Sequence, residues 1–159
     1  MKTRVLFVCM GNICRSPTAE GVLRRMVAER GLGDRIEVAS AGTSGHHIGA
    51  APDARAQAHA ARRGYDLSRQ RGRRVRTHDF TAFDRILAMD RDNLDELVAR
   101  CPPAAQDRLG LLMRHARRHA VDVVPDPYYG GPNGFELVLD YIEDACAGLL
   151  EDLLAAPRA

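Results

Sequence analysis

The first thirty residues leave this chain few ways to fold. Arg4-Val5-Leu6-Phe7-Val8 is an apolar run of the length of a strand covered on both faces, although such a run taken alone is also compatible with helix. An amphipathic helix follows it. Ser16 suits the N-cap, Pro17 the first helical position and Glu20 the first turn. Ala19, Val22, Leu23, Met26 and Val27 share one face at helical spacing, and Gly31 ends the segment.

The loop between them, Met10-Gly11-Asn12-Ile13-Cys14-Arg15, ends at a helix N-terminus, where unpaired backbone N–H groups and the positive dipole end attract an anion. Gly11 eases the turn. The same donors favour the thiolate of Cys9, the nucleophilic form. The planar guanidinium of Arg15 can hold two phosphate oxygens at once. A bare Cys-x5-Arg pattern is ordinarily a buried cysteine followed by a solvated arginine. Placed between a buried strand and a Ser-Pro helix start, it reads as a phosphate site with its own nucleophile. Gly-Lys-Ser/Thr is missing at the helix start, so a nucleotide triphosphate is not the leading ligand.

Composition narrows the class. A chain of 159 residues with 45% hydrophobic content is expected to form one domain spanning 1–159. No apolar stretch reaches the roughly 18 residues of a membrane span, and the N-terminal apolar run is too short for a signal peptide. Cysteines at 9, 14, 101 and 146 form neither paired CxxC units nor a dense framework, which fits a reducing, cytoplasmic setting. A net charge of +2 is too small to imply nucleic-acid binding. Residues 62–76 carry seven arginines against one acid, Asp66. With aromatics nearly absent there, Tyr65 alone, a solvated basic face is favoured over a nucleic-acid patch, with attraction for acidic phosphoproteins as a third reading.

Further along, residues 35–41 read as a second strand and 42–52 as a loop. Asp53 caps an expected helix over 54–63 with Ala54, Ala58 and Ala61 on its inner face, stopped by Gly64. Residues 83–89 read as a third strand, with Asp90 capping a helix that carries Leu94, Leu97 and Val98. Residues 108–113 fit a fourth strand or a short helix. Phe135, Val138, Leu139, Ile142, Ala145, Cys146, Leu149, Leu150 and Leu153 mark a long final helix that follows Asn133-Gly134. The alternation gives an α/β fold, a single three-layer domain with a four-stranded parallel sheet flanked by helices on both faces. Ligands of such sheets bind outside the carboxyl ends of the strands, where the Cys9 loop lies.

Cleaving a phosphate ester with a thiolate requires a proton for the leaving oxygen. Pro125-Asp126-Pro127-Tyr128-Tyr129 offers a carboxyl on a restricted backbone, with two aromatics expected to desolvate it and favour its protonated form. At this point a resemblance enters. Cys9-Met10-Gly11-Asn12-Ile13-Cys14-Arg15-Ser16-Pro17 resembles the signature loop of the low-molecular-weight protein tyrosine phosphatases, and Asp126-Pro127-Tyr128-Tyr129 is similar to their acid loop. Residues 83–90 and 40–43 are similar to further family segments, so the resemblance covers essentially the whole chain.

The resemblance implies Cys9 as nucleophile, Arg15 as phosphate and transition-state binder, and Asp126 as general acid and then base. Met10, Gly11, Asn12, Ile13, Cys14 and Arg15 would hold the phosphate, and Asn12 and Ser16 would support the loop, Ser16 donating to the Cys9 sulfur. His46, Tyr128 and Tyr129 would line the substrate rim. His46 falls where many members have tryptophan, and Gln70 near a place where they often have histidine. Ile13 stands where related arginine phosphatases carry threonine, which favours an aromatic ester over phosphoarginine. The implied partners are phosphotyrosine proteins, with inorganic phosphate, sulfate or vanadate expected in the site and no cofactor, nucleic acid or membrane.

Cys14 is a candidate redox partner that would join Cys9 in a protective disulfide. His115 and His119 share an i,i+4 spacing and His46 and His47 are adjacent, but no third and fourth ligand clusters with them, so no metal is expected. An arsenate reductase of the same fold would bring extra resolving cysteines, and a catalytically dead binding module would lose Cys9, Arg15 or Asp126. Neither departure occurs in this sequence.

Overall fold

The computed structural model describes residues 2–128 and 131–156. Its organising element is β1 (Thr3–Cys9), which pairs in parallel with β2 (Ile36–Gly42) on one side and β3 (Arg85–Ala88) on the other. β4 (Leu109–Leu111) completes the sheet beyond β3, giving the order β2-β1-β3-β4. The side chains of β1 alternate between two cores, as a strand with period two must. Val5, Phe7 and Cys9 face α1 (Arg15–Glu29) and α5 (Pro132–Ala155). Leu6 and Val8 face the layer built from α3 (Asp79–Ala82) and α4 (Arg91–Arg100). α2 (Ala54–Arg62) packs across α1 and α5.

The chain leaves β1 towards β2 and later returns to β3 on the opposite side. The strand order therefore reverses at the carboxyl end of β1, where a crevice opens. Positive φ at Gly31 (68°) and Gly64 (89°) turns the chain away after α1 and α2. Among the described residues no helix is long and apolar enough to cross a membrane.

Several local expectations shift. α1 begins at Arg15, with Cys14 at its cap and no side-chain cap bond, because the Ser16 hydroxyl is engaged elsewhere. α2 buries Ala56 and Ala60; Ala54, Ala58 and Ala61 are exposed. Its rotation is set by α5, against which His59 stacks on Phe135 and Arg63 pairs with Glu136, Asp140 and Glu143. Asp90 does cap α4, accepting from the Asn93 N–H at 2.8 Å, but Val98 points to solvent. Residues 108–113 divide among the end of a 3-10 helix, Pro103–Arg108, the three residues of β4 and a 3-10 turn, Leu112–His115. His115 lies in that turn and His119 in irregular chain, and each bonds a different α5 carboxylate, Asp152 and Asp144. Among the described residues no His, Cys, Asp and Glu side chains form a metal-binding group.

Candidate active site

β1 ends at Cys9, and residues 10–14 turn into α1 around polar atoms paired behind the loop. Asn12 adopts φ 57°, in the left-handed region that asparagine tolerates better than most residues. Its Nδ2 donates to Ser16 Oγ at 2.8 Å and to Ser40 Oγ at 3.0 Å, and its Oδ1 accepts from the Arg73 N–H at 3.0 Å. Having accepted from Asn12, Ser16 Oγ has one proton to give. Cys9 Sγ lies 3.0 Å away and the Ala41 carbonyl, a weaker alternative, 3.4 Å. The Asn12 N–H also points at Cys9 Sγ, at 3.3 Å. Two donors thus converge on the sulfur and stabilise negative charge there.

Ser40 Oγ accepts from Asn12 and donates to Glu20 Oε1 at 2.8 Å. Burial pushes the Glu20 carboxyl above its usual range, against the opposing pull of Arg24 and of the Ser40 hydrogen bond. Gln70 donates to the Pro17 carbonyl at 2.9 Å beside this chain of bonds. On the outer side the Thr43 and Ser44 N–H groups donate to the Cys9 and Met10 carbonyls, each at 2.9 Å, and Asp53 N–H to Ile13 at 2.8 Å. Gly42 is needed for this approach, since a Cβ there would sit 2.7 Å from the Met10 carbonyl oxygen.

Arg15 is almost fully buried, and its Nη1 donates to Asp90 Oδ2 at 2.6 Å and to the Val124 carbonyl at 3.0 Å. Its Nη2 lies 3.7 Å from Asp126 Oδ2. The guanidinium is therefore oriented by a carboxylate behind it and faces a second one across the site. Asp126 Oδ1 accepts from the Tyr128 N–H at 3.0 Å. Its side chain is a third exposed, so the expected desolvation by two aromatics is not what the structure has: the carboxyl opens onto the pocket. Tyr128 is itself partly exposed, with the Arg55 guanidinium 5.3 Å from its ring centre. Tyr129 lies outside the described residues.

These groups enclose a pocket of about 300 Å³. Cys9, Met10, Gly11, Ile13, Cys14 and Arg15 form its floor and sides, and His46, Asp126 and Tyr128 its upper wall. Asn12 and Ser16 stand behind the loop, and two wall residues join the set: Ser44, not singled out in the sequence, and His47, weighed there only as a metal ligand. Asp90 was legible only as a helix cap, yet it is also the partner of Arg15; its place directly after β3, at a strand's carboxyl end, was the available signal. A pocket with a sulfur at its base, a buried guanidinium and a helix N-terminus around it, and a carboxyl on its wall can bind a tetrahedral dianion for attack by sulfur and proton transfer by the carboxyl.

Cys14 lies at the pocket edge, and all four cysteines are free. Burial, with smaller contributions from Asp53, Cys9 and Asp126, pushes its thiol up to about 12, so it is protonated at neutral pH. Of the basic segment, Arg63 is bound to α5 acids and Arg73 to Asp79, while Arg69, Arg71, Arg74 and Arg76 are exposed.

The family profile described as low molecular weight phosphotyrosine protein phosphatase matches residues 4–158. A low molecular weight protein-tyrosine-phosphatase of Streptomyces coelicolor is 43% identical over 94% of this chain and 93% of its own. A human low molecular weight phosphotyrosine protein phosphatase is 38% identical over 92% and 93%. Among solved structures, a protein tyrosine phosphatase from Entamoeba histolytica, with Hepes in its active site, superposes with a TM-score of 0.94 at 40% identity, covering 96% of this chain and 97% of that one. A drosophila arginine phosphatase gives 0.88 at 35% identity, covering 99% and 100%.

Proposed function

The chain belongs to the low molecular weight phosphotyrosine protein phosphatase family, and from that membership we propose that it hydrolyses phosphotyrosine in proteins, and small aryl phosphates, through a cysteinyl-phosphate intermediate on Cys9. The observation that carries the residue assignment is the convergence of Cys9, Arg15 and Asp126 on one pocket, with Ser16 Oγ 3.0 Å from the sulfur. The Cys9 thiolate attacks phosphorus in line as the P–O bond to the tyrosine breaks, and Asp126 gives its proton to the leaving oxygen. The Asp126 carboxylate then takes a proton from water, whose oxygen attacks the thiophosphate. Inorganic phosphate leaves and the thiolate is restored. Arg15 and the loop amides of residues 10–15 hold the equatorial oxygens as charge develops on them. No metal or cofactor enters these steps.

Ile13 in the pocket supports the aromatic ester over phosphoarginine, the substrate class in the name of one structural neighbour. Phosphate, sulfate and vanadate are ligands of the same cradle. The enzyme works as a single domain in the cytoplasm, and Cys14 serves as redox partner: once hydrogen peroxide has oxidised the Cys9 thiolate to a sulfenic acid, its O–O bond taking the two electrons, the Cys14 sulfur displaces the sulfenic oxygen as water and a disulfide forms. Because the Cys14 thiol is protonated at neutral pH, this closure accelerates as pH rises. The deciding experiment is hydrolysis of p-nitrophenyl phosphate in excess EDTA, wild type beside Cys9→Ser. Turnover that the substitution abolishes is expected. An inert wild type, or an active Cys9→Ser, would overturn the mechanism.

A further inference from the structure

A second, wider groove of about 620 Å³ runs beside the catalytic pocket. Met10, Ser44 and His46 line both. Its far bank is the exposed face of α4, where Asp92 and Glu96 stand one helical turn apart. Neither pairs with a cation among the described residues, whereas their basic neighbours are engaged: Arg91 with Asp122, Arg15 with Asp90, and Arg74 through its Nε with the Thr43 carbonyl. Two like charges at this spacing repel. Between them Asn93 also lines the groove; it is 97% buried, and its Oδ1 has no hydrogen-bond partner. A buried carbonyl oxygen without a donor is costly, and the amide can rotate to meet one that enters. Two unpaired carboxylates and a buried residue with an unsatisfied acceptor therefore line one space, and all three call for a cation that carries N–H donors.

We propose that this groove is a subsite for one basic side chain, arginine or lysine, close in sequence to the phosphotyrosine of the substrate, and that Asp92, Glu96 and Asn93 determine specificity there. The proposal rests on the phosphatase reading. The pocket and the groove are separated by the width of single side chains, a span that about two or three residues of extended peptide cross at roughly 3.3 Å each. Arg74 on the opposite bank repels a second cation, so a single basic residue fits better than a run.

The test measures kcat/KM for phosphotyrosine peptides in which arginine, alanine or glutamate is scanned through about three positions on either side of the phosphotyrosine. The enzymes are wild type, Asp92→Asn/Glu96→Gln and Asp92→Lys/Glu96→Lys, with p-nitrophenyl phosphate, which has no flanking residues, as reference. At one position wild type is expected to prefer arginine to alanine by about tenfold at low salt, less at high salt, as exposed ion pairs do. The neutral variant loses this preference and the lysine variant transfers it to glutamate, while all three hydrolyse the reference at similar rates. Failure on the reference by the wild type would remove the phosphatase reading and the subsite with it. Normal reference rates with peptides treated alike by all three enzymes, or a wild-type preference for glutamate, would overturn the subsite alone.

Discussion

Replacing Asp90 by asparagine tests whether Arg15 is held for the substrate or merely buried. Asp90 uses its two oxygens separately: Oδ1 caps α4 through the Asn93 N–H, and Oδ2 holds Arg15 Nη1 at 2.6 Å. Asparagine can keep the cap but not the charge. Leaving a buried ion without its partner costs about 3–5 kcal/mol. Here the Asp90 side chain is about a quarter exposed and Asp126 remains 3.7 Å from the guanidinium, which reduces the expected loss to about 2–3 kcal/mol. For a domain of this size that is a fall of roughly 5–10 °C in Tm. Asp90→Ala also removes the cap and should lose about 1 kcal/mol more. A bound phosphate brings negative charge to the same guanidinium, so the stability gap between wild type and Asp90→Asn should narrow in saturating phosphate. With Arg15 no longer oriented, kcat should fall about tenfold to a hundredfold. The assays are thermal melts with and without phosphate and p-nitrophenyl phosphate kinetics. A variant with wild-type kcat whose Tm gap ignores phosphate would refute this reasoning and leave Asp90 as a helix cap only.

Asn12→Gly preserves the left-handed backbone and removes the side-chain bonds to Ser16, Ser40 and Arg73, whereas Asn12→Ala adds strain of about 1–2 kcal/mol; both should lower kcat, and melts should place the alanine variant below the glycine one. Gly42→Ala forces a Cβ against the Met10 carbonyl, so a stability loss of about 1–3 kcal/mol should accompany weaker inhibition by phosphate. Asp144 is pulled down to about 2: burial opposes its ionisation, but the N–H groups of Arg117, Arg118 and His119 and the His119 ring outweigh it. A depressed carboxylate stabilises the fold above its unfolded value near 3.8 and loses that contribution as pH falls through about 2. Acid titration of wild type against Asp144→Asn should therefore show a difference, about 2 kcal/mol at most near neutrality, that disappears between about pH 4 and 2.

What the sequence reveals and what it conceals divide along a physical line. The segment from Cys9 to Pro17 is contiguous, so strand, loop and helix start announce one another, and the prolines around Asp126 mark it as held in place. The apolar periods of β1, α1 and α5 suffice to predict the parallel sheet. Contacts that depend on register between distant elements leave no such trace. Ser40 meets Asn12 and Glu20 because Phe7 on β1 sits opposite Ser40 on β2, and Asp90 reaches Arg15 across 75 positions. Ser16 shows a related limit: residue pattern alone reads a serine at a helix start as a cap, and the turn of its hydroxyl to the sulfur was legible only through the family resemblance. The rotation of α2 was hidden too, since five alanines between 54 and 61 leave the inner face to be chosen by α5.

The central strand and the segment that carries Asp126 differ in how firmly the fold holds them. Cys9 terminates a strand paired along its whole length with β2 and over Val5–Val8 with β3, while Asp126 sits on an irregular stretch tied at Val124, whose N–H donates to the Met89 carbonyl and whose carbonyl accepts from Arg15. Under mild denaturant the second unit opens at lower free energy than the first. Esters whose leaving oxygen departs without a proton would then still be cleaved after those that need the carboxyl have ceased to react. With Asp126 in the role proposed for it, sensitivity to leaving group would become a gauge of partial unfolding, and the enzyme under stress would turn into a narrower catalyst before it became an inactive one.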